Sequence, residues 1–97
     1  MEVYGSMKKL TVRTKVTGHV QGVGFRAFTM HVALQNNVTG WVQNKPDGSV
    51  QAVLSGFEED VRKVLGAIEK GPALSRVESV NVERTVFLSF DDFTIRR

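Results

Sequence analysis

No cysteine occurs among the 97 residues. Its absence excludes a disulfide framework, a thiolate nucleophile and any cysteine-based metal site, so packing alone must hold the fold. Histidine is nearly as scarce. His19 and His31 are the only two, well separated and without a carboxylate neighbour in sequence, so a phosphoryl-accepting or metal-ligating pair is not indicated. Long apolar runs are missing as well. No stretch approaches the roughly 20 residues of a membrane span, and Met1-Glu2-Val3-Tyr4-Gly5-Ser6 lacks the apolar run of a signal peptide. A cytoplasmic protein with no membrane partner is the resulting expectation. Runs of one charge are also lacking. The net charge is +3, and the scattered lysines and arginines favour small anionic ligands at least as much as nucleic acid.

What is present suits one small globular domain spanning residues 1–97, with 41% hydrophobic residues to fill a single core. Met7 is a candidate natural start, and residues 1–7 are expected to form a flexible N-terminal extension. From Lys8 to Thr17 the sequence alternates, with Leu10, Val12, Thr14 and Val16 on one side and Thr11, Arg13 and Lys15 on the other, which predicts a half-buried strand. Between Phe25 and about Asn36 the apolar spacing becomes helical through Phe25, Phe28, Val32 and Ala33, and Asn36-Asn37 supplies a stop.

Val38 to Asn44 and Ser49 to Ser55 flank Lys45-Pro46-Asp47-Gly48, which reads as a type I turn closing a hairpin. A second helical stripe, Phe57, Val61, Val64, Leu65 and Ile68, is entered through Ser55-Gly56 and stopped by Gly71-Pro72. Its early Glu58, Glu59 and Asp60 suit the positive end of a helix dipole. Val77 to Val86 and Phe90 to Arg96 supply two more strands, with Val80, Val82, Phe93 and Ile95 as inward candidates. The order βαββαββ predicts an α+β fold: a ferredoxin-like α/β plait plus a terminal strand, with an antiparallel sheet and both helices on one face.

The segment Gly18-His19-Val20-Gln21-Gly22-Val23-Gly24-Phe25-Arg26 joins the first strand to the first helix. Glycines let the backbone approach a ligand closely, and the first N–H groups of a helix have no internal partners. The pair builds a site for a phosphate-sized anion. Arg26, in the first helical turn, adds a guanidinium able to grip two phosphoryl oxygens.

Other readings of the same residues are weaker. Gly22 to Ala27 matches G-x-G-x-x-A, but Asp47, at the distance of a ribose contact, falls in a hairpin turn, and the chain is too short for a doubly wound sheet. A Walker A loop is excluded because no Gly-Lys-Ser/Thr follows the glycines. The plait also hosts RNA-recognition modules, yet the aromatics of Gly24-Phe25-Arg26-Ala27-Phe28 sit at helical spacing. The expected open sheet face, with Thr11, Arg13 and Lys15, offers no stacking platform. Trp41 beside Gly40 reads as packing.

The same loop, followed by Gly40-Trp41-Val42-Gln43-Asn44 and Asp47-Gly48-Ser49-Val50, resembles the acylphosphatase family. The resemblance extends from about Leu10 to Phe93-Thr94-Ile95-Arg96. It implies hydrolysis of a carboxyl–phosphate anhydride to a carboxylate and inorganic phosphate without metal or organic cofactor. It also implies that Arg26 is the phosphate-binding arginine, that Asn44 positions the attacking water, and that the backbone through His19, Val20, Gln21, Gly22, Val23, Gly24 and Phe25 is the phosphate cradle. The partners it implies are a small acyl phosphate and inorganic phosphate; a monomer that binds no nucleic acid is expected. Lys45 departs from the small hydroxyl residue many members carry after the asparagine. A non-catalytic anion-binding module of the same plait, as found inside larger maturation proteins, is the alternative.

Overall fold

The computed structural model describes residues 8–97, and the extension expected over residues 1–7 lies outside the described residues. The elements follow the predicted order: β1 (Lys9–His19), α1 (Phe25–Gln35), β2 (Thr39–Asn44), β3 (Val50–Phe57), α2 (Glu58–Lys70), β4 (Arg76–Thr85) and β5 (Phe93–Arg96). They build one five-stranded sheet in the order β4-β1-β3-β2-β5. The first four strands in that order pair antiparallel, and β5 joins the edge parallel to β2. The plait is therefore antiparallel with one parallel edge strand. The helices touch each other and share one core with the sheet.

Element boundaries have local causes. Asn37 adopts a left-handed conformation (φ 59°), and the Val38 N–H returns to the Ala33 carbonyl at 2.9 Å, which ends α1 as the asparagine pair predicts. Gly71 stops α2 with φ 70°. The Gly48 N–H donates to the Lys45 carbonyl at 3.1 Å, the bond expected of the Lys45–Gly48 turn. Ser55 lies in β3 as expected, but β3 runs on through Gly56 and Phe57, so Phe57, read as the first residue of the helical stripe, caps α2, which begins at Glu58. There the Glu58 N–H donates to the Lys8 carbonyl at 2.8 Å.

The core joins Val12, Val16, Val42 and Leu54 of the sheet to Phe25, Ala33, Val61, Val64 and Ile68 of the helices. Burying each of these side chains other than Ala33 contributes roughly 1.5–3 kcal/mol before entropy is counted. Phe28, Val32, Leu65 and Val80, expected inside, are only half-buried. Phe28 sits on the flank of α1, its ring tilted against Phe25 with centroids 6.2 Å apart. Val82 is 49% exposed, because β4 is an edge strand and Val82 borders a shallow groove beside α2.

A second correction concerns the opposite sheet face. Thr11 is fully buried, since the segment before β5 folds back over it. The Leu88 N–H donates to Thr11 Oγ1 at 2.8 Å, and Ser55 Oγ donates to the Leu88 carbonyl at 2.7 Å. Among the described residues no helix is long and apolar enough to cross a membrane.

Candidate functional site

Both β1 and β2 run antiparallel to β3, so they point the same way and end on the same sheet edge. Val16 and Asn44 both pair with Val50, which sets Asn44 level with the point from which β1 runs on to His19. The chain then turns through residues 20–24 into α1. Gly22 (φ 76°) and Gly24 (φ 81°) take left-handed conformations there, which cost other residues roughly 1–2 kcal/mol.

The two helix starts differ electrostatically. Three carboxylates, Glu58, Glu59 and Asp60, occupy the first turn of α2, whereas α1 has no acidic residue in its first turn. Gly24, the residue capping α1, supplies no side-chain acceptor. The positive end of α1 thus has no carboxylate of its own first turn and no side-chain cap facing it. On α2, the Arg62 guanidinium bonds Glu58 at 2.7 Å and lowers its carboxyl below the ordinary value. That is the solvated helix start expected of this acidic run.

The loop, the start of α1 and the end of β2 enclose a pocket of about 200 Å³. Its walls include Val20, Gly22, Gly24, Arg26, Asn44 and Ile95. Residues far apart in sequence therefore meet at one small concavity. Arg26, the second residue of α1, is half-buried, and its Nη1 donates to the Arg96 carbonyl at 3.3 Å. Asn44 is half-buried too, and its Oδ1 is buried without a hydrogen-bond partner.

The remaining residues of the expected cradle differ in how they stand to the pocket. Phe25 lines the pocket from the core side, where it is 2% exposed. Val23 packs against the core from the loop. His19 is the last residue of β1, paired with Arg76 and exposed, rather than part of the loop. Gln21 turns away from the pocket, and its Nε2 donates to the carbonyls of Lys45 and Ser49 at 2.8 and 2.9 Å.

Ile95, expected to point inward, is 38% exposed, because it lies at the open end of an edge strand, beside the pocket. Lys45 borders a neighbouring groove with Lys15 and Asp47. The Asp47 carboxylate accepts from the Ser49 hydroxyl at 2.6 Å and the Ser49 N–H at 3.0 Å, and pairs with Lys15 at 3.0 Å. Those Ser49 bonds, then Lys15, hold its carboxyl well below the usual carboxylate range. The roles of Arg96 and the Gln21 side chain escape sequence reasoning, since neither has a local signature.

Residues 12–95 match the family model described as Acylphosphatase. An acylphosphatase from Syntrophotalea carbinolica is 43% identical over 91 residues, covering 93% of this chain and 99% of that protein. The structure of an acylphosphatase from Coxiella burnetii superposes with a TM-score of 0.89 at 29% identity, covering 98% of this chain and all of that one. Full-length HypF, solved in a phosphate- and nucleotide-bound form, matches 93% of this chain with 12% of its own, at a TM-score of 0.87 and 27% identity.

Proposed function

Because this chain belongs to the acylphosphatase family and is a hydrolase acting on acyl phosphates, we propose that it works by direct attack of water on phosphorus. The observation that carries this reading is the meeting of Val20, Gly22, Gly24, Phe25, Arg26 and Asn44 at one pocket. In the proposed step the backbone N–H groups and the Arg26 guanidinium hold the phosphoryl oxygens. Each charge-assisted hydrogen bond contributes roughly 1.5–3 kcal/mol. Charge shifts toward those oxygens as the bond to the acyl oxygen lengthens, so fixed donors there stabilise the transition state.

Asn44 supplies the other half. Its buried, unpartnered Oδ1 is an acceptor suited to a hydrogen bond from a water, which would orient the water's lone pair at phosphorus. The water oxygen bonds to phosphorus, the phosphorus–acyl oxygen bond breaks, and its electron pair leaves with the carboxylate. One water proton stays on the new hydroxyl, and the other passes to a phosphoryl oxygen. A carboxylate with a conjugate-acid pKa of about 4 leaves without protonation, so no protein acid is required. Positioning and charge stabilisation remain for the protein to supply.

The test is hydrolysis of acetyl phosphate by the purified protein in EDTA and ¹⁸O-labelled water. Turnover with the label in inorganic phosphate is expected. Label in acetate would place the attack on carbon and overturn the mechanism. Phosphate binding without hydrolysis in the same assay would overturn the mechanism as well.

A further inference from the structure

Resting on the proposed roles of the cradle and Asn44, we propose that the Gln21 side chain is a positioning residue that fixes the phosphate cradle relative to the water-orienting amide. Gln21 sits between Val20 and Gly22, two residues that line the pocket, but its side chain is committed elsewhere. Nε2 donates to the Lys45 carbonyl at 2.8 Å and to the Ser49 carbonyl at 2.9 Å. These two carbonyls frame the turn that directly follows Asn44.

Each carbonyl already has one backbone partner. The Lys45 N–H donates to the Ser49 carbonyl at 2.9 Å, and the Gly48 N–H donates to the Lys45 carbonyl at 3.1 Å. The glutamine amide uses the second lone pair of each, so both of its N–H donors are spent on one rigid turn. A carbonyl oxygen has only two such sites, so the four bonds saturate both acceptors. The strut leaves one cradle residue and lands one residue beyond Asn44. No other side-chain hydrogen bond found in the described residues links residues 20–25 to the β2–β3 turn.

The consequence is geometric. The cradle fixes phosphorus, Asn44 fixes the water, and only their relative placement decides whether the oxygen approaches in line. A displacement of about 1 Å at such a distance can cost on the order of a hundredfold in rate. Asn44 itself has no bond through Oδ1 to hold its amide, so its position is inherited from the end of β2 and the turn beyond it. Gln21 is the side chain that ties that end to the cradle.

The experiment is a double-mutant cycle on acetyl phosphate hydrolysis, with Gln21→Ala, Asn44→Ala and the pair, and with the inhibition constant of inorganic phosphate measured for each. Gln21→Ala is expected to lower kcat by roughly tenfold or more while phosphate inhibition changes by less than about twofold, since the cradle itself persists. In the Asn44→Ala background the same change is expected to have little further effect on kcat, because the group being placed is gone.

Multiplicative losses in the double variant would overturn the proposal, as would an unchanged kcat in Gln21→Ala. A parallel loss of kcat and phosphate affinity would overturn it too, by showing that Gln21 shapes the cradle itself. Should Asn44→Ala alone retain full kcat, the water-orienting role fails first and the proposal falls with it. Gln21→Met keeps the side-chain length without the donors and should reproduce the Gln21→Ala kinetics at a thermal midpoint close to wild type. That separates positioning from failure to fold.

Discussion

Arg26 Nη1 donates to the main-chain carbonyl of Arg96 at 3.3 Å, so the proposed phosphate ligand on α1 is held by the edge strand β5. Arg96 is itself placed by its guanidinium, 4.2 Å above the Trp41 ring. An ammonium at position 26 would keep the charge but lose the planar two-pronged geometry. Arg26→Lys is therefore expected to raise KM and lower kcat together. Steady-state kinetics on acetyl phosphate check this, and a change confined to one parameter would contradict it.

Anion binding is expected to stabilise the fold by mass action. Phosphate at a hundred times its dissociation constant should contribute about 2.7 kcal/mol, and each kcal/mol raises the Tm of a domain this size by roughly 4–8 °C. Arg26→Ala should abolish that increment along with activity. Thermal melts across a phosphate series, with chloride at matched ionic strength, make the comparison. An undiminished phosphate response in the variant would remove Arg26 from the site.

Gly24 is left-handed, and a β-carbon there would meet nothing within 4 Å. The cost of Gly24→Ala is thus conformational rather than steric, roughly 1–2 kcal/mol. If the loop relaxes to escape it, the N–H groups turn off the anion. Urea unfolding should show a lower midpoint, and calorimetric titration should show weakened phosphate binding.

Asp47 gives a pH prediction. Its folded-state carboxyl is held below the ordinary value of 3.8 by hydrogen bonds from Ser49, then by Lys15. A group depressed on folding binds more protons in the unfolded chain as pH falls. Its contribution is therefore complete above the ordinary carboxylate range and declines as the pH drops below 3.8 toward the folded value. Asp47→Asn should lower the denaturation midpoint at neutral pH, and the gap to wild type should close on acidification. A gap independent of pH would mean that the charge contributes nothing.

The alternation of Lys8–Thr17, the helical spacing after Phe25 and the Lys45–Gly48 turn made the element order legible, because each is a local signal. That Arg26 and Asn44 meet at one place was legible from the motifs and from the parallel course of β1 and β2. What escaped depends on contacts between distant segments. Thr11 reads as a solvent-facing strand residue until the segment around Leu88 folds over it. Val82 and Ile95 read as core until β4 and β5 prove to be edge strands. Gln21 reads as loop backbone, and nothing nearby in sequence announces that its amide reaches Lys45 and Ser49.

The measurement that bears most directly on the proposed mechanism is the kinetics of Asn44→Ala on acetyl phosphate in EDTA. If Asn44 orients the water, it interacts little with bound substrate and strongly with the attacking geometry. Turnover should then fall at least about tenfold, or roughly 1.4 kcal/mol of lost transition-state stabilisation, with KM and phosphate inhibition nearly unchanged. A raised KM with kcat preserved would make Asn44 a substrate-binding residue and contradict the account.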